Sequence, residues 1–183
     1  DLMESLHAAT VGMPYMGVVS DHGHVIARSG YTGEWGYEVF TEAGAAERVW
    51  RALSGVVERE GGEICGLAAR DTLRLEMGYP LYGQELSRER TPVAAGLAWA
   101  CDLAGGRFAG AEAMRREAQE GGGERLAAFR LTEPGIPRPG QDVLVDGAPV
   151  GTVTSGTLSP SLGAGIGMAY LPAAVATPGT DVV

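Results

Sequence analysis

The sequence predicts an α+β domain followed by a small antiparallel β domain, and three observations lead there. Short alternating segments with frequent turns fill the first forty residues, and from Glu42 onward the apolar period becomes helical. Gly121-Gly122-Gly123 then follows a charged helical stretch, which makes it the best linker in the chain. Beyond it come only short β-rich runs punctuated by Gly and Pro, the pattern of a small sandwich or barrel. The expected division is residues 1–120 for the first domain and 124–183 for the second.

The elements follow in order. Val18–Ser20 and Val25–Arg28 flank Asp21-His22-Gly23-His24 and read as a hairpin with a glycine-assisted turn. Tyr37–Thr41 is a further strand after a glycine-rich turn. Between Glu42 and Glu60, Ala46, Val49, Trp50, Leu53, Val56 and Val57 recur on one helical face, and Gly61-Gly62 ends that helix. Ile64–Leu67 is short and apolar and reads as a strand. Ala68–Met77 again has helical spacing, with Arg70, Arg74 and Met77 on one face, and Gly78-Tyr79-Pro80 stops it. Gly96–Cys101 reads as a buried strand and Ala111–Gln119 as a polar helix. After the linker, Leu126–Leu131, Val143–Val145, Val150–Ser155 and Ile166–Tyr170 are strands.

Composition narrows the chemistry. The 183 residues are 45% hydrophobic and 20% charged, enough to bury roughly 70% of the unfolded chain's surface without a metal or disulfide staple. The 14 basic and 23 acidic residues leave a net charge of −9, which opposes nucleic acid and anionic membrane surfaces. No apolar run approaches the ~20 residues of a bilayer span, so the expected compartment is the cytoplasm. All the basic residues are Arg; the absence of Lys removes Schiff-base chemistry and a Walker A lysine together. Cys65 and Cys101 lie in apolar segments without C-x-x-C spacing and are expected as reduced, buried thiols.

Several short patterns carry little. His22 and His24 would share a strand face, but Gly23 marks a turn tip, His7 is far upstream and no third ligand is evident, so no metal is expected. Gly163-Ala164-Gly165-Ile166-Gly167 has the wrong spacing for a dinucleotide loop, and small residues packing at a sheet corner account for it better. Ser155 lacks the glycine of a nucleophile elbow.

Two stretches remain. In RSGYTGEWGYEVF, Glu34 and Glu38 bracket a glycine turn among Tyr31, Trp35 and Tyr37. A carboxylate beside aromatic rings suits a flat heterocycle with a paired N–H edge, and a solvated hairpin is the plainer alternative. In GLAARDTLRLEMGYPLYGQEL, Arg70, Asp71 and Arg74 open a short helix. Fixed guanidinium groups there could hold a carboxylate or orient a ring; a surface Arg–Asp–Glu network is the alternative.

These segments, with TPVAAGLAWACDL, FAGAEAM and GIPRPGQDVLVDGAPVGTVTSGTLSPSLGAGIGMAYLPAAVATPGT, resemble the glycine cleavage T-protein family of folate-dependent aminomethyltransferases. The resemblance runs in order from about residue 17 to the end. It implies the later part of a folate-binding α+β domain followed by a small antiparallel β-barrel domain. It implies transfer of an aminomethyl carbon from the lipoyl arm of H protein to tetrahydrofolate, with release of ammonia and formation of 5,10-methylenetetrahydrofolate. By the family pattern Glu38 binds the pterin, Arg70 contacts the folate and Tyr31 lines the pocket.

The family's catalytic aspartate belongs to the preceding half of the domain, so none is assigned here, and Glu34 receives no proton-transfer role. The chain is accordingly expected to be a fragment, inactive alone, lacking also the last β-strands and prone to self-association through uncovered apolar surface. Trp35 departs from the family, which commonly has an acidic residue there. The folate domain of a sarcosine- or dimethylglycine-type demethylating oxidoreductase, or a non-catalytic folate-binding module, are the alternatives; AARDTLRLE and PLYGQEL look more like the T protein itself.

Overall fold

The computed structural model describes residues 6, 8, 10–121 and 123–183. His7 and Gly122, the middle residue of the expected linker, lie outside the described residues. The chain divides into two compact units, Asp1–Leu73 and Arg74–Val183.

The first unit is built on a three-stranded antiparallel sheet, β1 (Val18–Asp21), β2 (His24–Ala27) and β3 (Glu38–Phe40), in that spatial order. The β1–β2 turn consists of His22 and Gly23, with φ of 45° and 81°. Two consecutive positive φ values give the turn twist that matches the strands, which is why glycine follows here. Alternation puts Val19, Ile26 and Val39 on one face, where Ile26 packs with Met13 and Leu53 in the unit's core. Helix α1 (Ala43–Arg59) follows the sheet and is closed by Gly61 with φ 73°, as its glycine pair predicts. Of its apolar stripe only Val49 is buried, and Trp50 remains exposed.

Helix α2 (Leu67–Glu76) matches the predicted position, but Ile64–Leu67 forms no strand. The chain then passes through turns to α3 (Ala111–Glu120). Gly96–Cys101 is not a buried strand. Only Ala98–Ala100 is regular, as one 3₁₀ turn, and Trp99 is 83% exposed. Successive turn bonds from Ala95, Gly96 and Leu97 to Thr91, Val93 and Pro92 coil this segment, so its backbone groups are satisfied locally and need no sheet partner.

The second unit carries the four strands expected after the linker: β4 (Glu124–Arg130), β5 (Asp142–Val145), β6 (Ala148–Ser159) and β7 (Ala164–Pro172). They form an antiparallel sheet in the order β4-β7-β6-β5. Asp146 and Gly147, with φ of 51° and 78°, make the β5–β6 turn by the same mechanism as His22 and Gly23. Val143, Val153, Ala169 and Leu171 form one core cluster, and Ile166 and Met168 pack with Leu75 in another. Gly165 and Gly167 lie within β7. A Cβ on Gly165 would stand 2.5 Å from the Gly135 carbonyl oxygen, and one on Gly167 would stand 2.6 Å from the Phe129 ring. Two of the three glycines of that motif, Gly165 and Gly167, therefore answer to close packing, while Gly163 takes a positive φ of 61° in open space.

Candidate functional site

The candidate site lies where β2 leads through a turn into β3 and where α2 begins. Ala27 pairs with Glu38 across the two strands, so Glu38 falls on the sheet face shared by Val18, Val25 and Phe40. Those three side chains are exposed, and so is Glu38. The side chain is held from the end of β2: Ser29 Oγ donates a hydrogen bond to Glu38 Oε2 at 2.5 Å.

Tyr31 sits two residues beyond Ser29, within about 7 Å along an extended chain. The Arg70 guanidinium lies over its ring, 4.7 Å from the centroid. Arg70 belongs to the first half of α2, and a planar guanidinium stacks favourably on an aromatic face. A second stack has the same form: Arg28 lies 3.6 Å from the Trp35 centroid and donates through Nη1 to the Met13 carbonyl at 2.7 Å. Trp35 is 74% exposed, so its outer face stays accessible. Glu34 makes a different kind of contact, its backbone N–H donating to Thr32 Oγ1 at 3.4 Å within the turn.

Of the three residues selected from the sequence, Tyr31 and Arg70 stack on each other, while Glu38 is held by Ser29, which only Gly30 separates from Tyr31 in the chain. Chemically they offer an accessible carboxylate with acceptor positions to spare, an aromatic surface and a fixed positive charge. Ser29 and Arg28 were not among the selected residues. The available signal was register: a hydroxyl two places beyond the strand end opposite Glu38 is within reach of it.

Three sequence expectations need correction. His22 lies in the turn whose tip Gly23 marks, but His24 is not part of a solvated turn: it is buried, with Nδ1 2.9 Å from Thr41 Oγ1. Cys65 is exposed and Cys101 half-buried, because the apolar run around Cys65 is not drawn into a sheet or helix core. Arg74 is not part of a surface network. In the second unit it is 1% exposed and donates to Glu85 Oε2 at 3.0 Å, the Tyr79 carbonyl at 3.1 Å and Ser155 Oγ at 2.8 Å. Glu85 Oε2 also accepts from Leu81 N–H, and Tyr170 Oη donates to the Glu85 carbonyl. Arg70 and Arg74 are one turn apart in sequence, yet the first is exposed and the second buried.

Comparison with known proteins bears on the family and the fold. The model of the GCVT N-terminal domain matches residues 5–105, and that of the glycine cleavage T-protein C-terminal barrel domain matches residues 124–183. An aminomethyltransferase of Halothermothrix orenii is 42% identical over 158 residues, covering 86% of this chain and 44% of the relative. One from Frankia alni is 48% identical over 153 residues, covering 83% and 42%. The crystal structure of glycine cleavage system aminomethyltransferase T from Bartonella henselae superposes with a TM-score of 0.88 at 32% identity, over 98% of this chain and 51% of that one. The chain therefore spans about half the length of the relatives it matches. With both family modules present in order, it belongs to the glycine cleavage T-protein family.

Proposed function

We propose that this chain supplies the pterin-recognising part of a folate-dependent aminomethyltransferase of the glycine cleavage system. In that reaction the aminomethyl carbon on the lipoyl sulfur of H protein passes to tetrahydrofolate. Its C–N and C–S bonds break, and two bonds form to N5 and N10 of the acceptor. The two displaced N–H protons leave on ammonia and on the lipoyl thiol, so no oxidant or reductant is consumed. The product is 5,10-methylenetetrahydrofolate.

The observation that carries this reading is the pairing of Glu38 with Ser29, two positions along the chain from the tyrosine of the Tyr31–Arg70 stack. Glu38 accepts from the pterin's amino group and adjacent ring N–H, a two-donor edge that a carboxylate matches. Tyr31 gives the flat ring an apolar surface, and Arg70 adds positive charge near the folate. Holding the acceptor beside the departing ammonia supplies rate through proximity and orientation. No residue of this chain is assigned the catalytic carboxylate.

The folate-binding module extends to about residue 120 and the C-terminal β module occupies 124–183; the second family match, which begins at residue 124, supports the latter limit, while the first match ends at residue 105. The partner is lipoylated H protein, and the compartment is the cytoplasm. Among the described residues no helix is long and apolar enough to cross a membrane.

The test is calorimetric titration with tetrahydrofolate of the protein as its gene encodes it, beside Glu38→Ala. Two hydrogen bonds to a charged group are worth about 1.5–3 kcal/mol each, so Kd should rise by about a hundredfold or more while the unfolding midpoint holds. Absence of saturable binding, or a Kd indifferent to Glu38, overturns the reading.

A further inference from the structure

We propose that Ser29 is a positioning residue for pterin recognition, fixing the Glu38 carboxylate in its binding orientation before the ligand arrives. This rests on the reading of Glu38 as the pterin acceptor.

Glu38 opens β3 on an exposed sheet face, and a glutamate there is free about three side-chain torsions. Binding would have to freeze them, and long side chains such as Glu lose the most rotamer freedom. The Ser29 hydroxyl removes that freedom in advance by donating to Oε2. Its own position is well determined. Ser29 is half-buried, whereas Glu38 is exposed. The preceding residue is tied on both sides, Arg28 N–H to the Gly17 carbonyl and the Arg28 carbonyl to Met16 N–H, at 2.9 and 3.0 Å. The Arg28 side chain is also fastened, by the Met13 carbonyl and the Trp35 ring. The anchor is thus more rigid than the group it holds.

The stoichiometry of acceptors also fits. An ionised carboxylate has about four acceptor positions, and a serine has one proton to donate. One position of Oε2 is taken; Oε1 and the second position of Oε2 remain for a two-donor heterocycle edge. A lysine or arginine in place of Ser29 would offer several donors and compete with the ligand. A single hydroxyl orients the carboxylate while leaving its recognition capacity almost whole.

A residue that merely tied the turn together would affect stability and every ligand alike, so the experiment separates the two roles. Ser29→Ala, Ser29→Thr, Glu38→Ala and the Ser29→Ala/Glu38→Ala double variant are made in the protein as its gene encodes it. Each is titrated with tetrahydrofolate and with its 2-desamino analogue, and each unfolding midpoint is recorded. The expected result is a rise of about tenfold in Kd for Ser29→Ala, the scale of one immobilised glutamate. Ser29→Thr, which keeps the hydroxyl, stays within about threefold of the parent. Discrimination against the desamino analogue shrinks in Ser29→Ala, and the substitution has no further effect once Glu38 is gone.

An unchanged Kd for Ser29→Ala, with Glu38→Ala losing affinity, overturns the role of Ser29 and leaves the pterin reading intact. Equal loss in the Glu38→Ala background, or loss accompanied by a lowered midpoint, assigns Ser29 a structural role and also overturns the proposal. Indifference of Kd to Glu38 itself overturns the pterin reading on which both stand.

Discussion

The buried Arg74–Glu85 pair makes the sharpest stability prediction. Their side chains are 2% and 0% exposed and 3.0 Å apart. Arg74→Met removes the guanidinium and leaves the Glu85 carboxylate with Leu81 N–H as its remaining hydrogen bond, since Oε1 has no hydrogen-bond partner among the described residues. It also strips the Tyr79 carbonyl and Ser155 Oγ of a donor. Removing one member of a buried pair costs about 3–5 kcal/mol because an uncompensated charge stays behind. With a urea dependence of about 2 kcal/mol/M, the midpoint of the second unit should fall by about 1.5–2.5 M. The assay is urea unfolding followed by far-ultraviolet circular dichroism and by a second probe, so that coincidence of the transitions can be checked. Replacing both partners, as Arg74→Met/Glu85→Leu, should recover a large part of the loss, because the stranded charge is gone. A loss below about 1 kcal/mol for Arg74→Met, the range of exposed pairs, would refute the argument from burial.

Two further predictions concern the same unit. Ser159 Oγ, then Ser161 through its hydroxyl and its backbone N–H, donate to the Glu76 carboxylate and hold its pKa below the ordinary 4.5. A lowered folded pKa stabilises the native state fully above 4.5, and that stability drains away as pH falls through the lower folded value. Glu76→Gln should therefore flatten the acid limb of a midpoint-against-pH series; an unchanged limb would show the hydrogen bonds contribute nothing. Gly165→Ala should destabilise by about 1–3 kcal/mol in thermal unfolding, since its Cβ would meet the Gly135 carbonyl oxygen at 2.5 Å, and a neutral result would mean the β4–β5 connection yields freely.

Much of the fold was legible because its signals are local. Gly23 and Gly147 announce two-residue hairpin turns through backbone conformation alone, and the helical stripe of Val49, Leu53 and Val56 fixes a period whatever surrounds it. The candidate residues Tyr31, Glu38 and Arg70 came from family motifs, which locate residues in sequence and not in space. Periodicity placed Arg70 and Arg74 on one face and could not say what that face meets; Ser155 and Glu85, 81 and 11 residues away from Arg74, decided its burial. The apolar run Gly96–Cys101 failed as a strand for the related reason that five or six apolar residues carry no period of their own.

Residue order by itself therefore located the seven strands and three α-helices that form among the described residues, the hairpin turns and the family, since each depends on neighbours a few positions apart. It also proposed strands at Ile64–Leu67 and Gly96–Cys101 that do not form. Tertiary structure alone decided that Ser29 reaches Glu38, that Arg70 covers Tyr31 and that Arg74 is interior. Hydrogen bonds and burial depend on distances that fall off within a few ångströms, and chain separation says little about those distances once the backbone has turned.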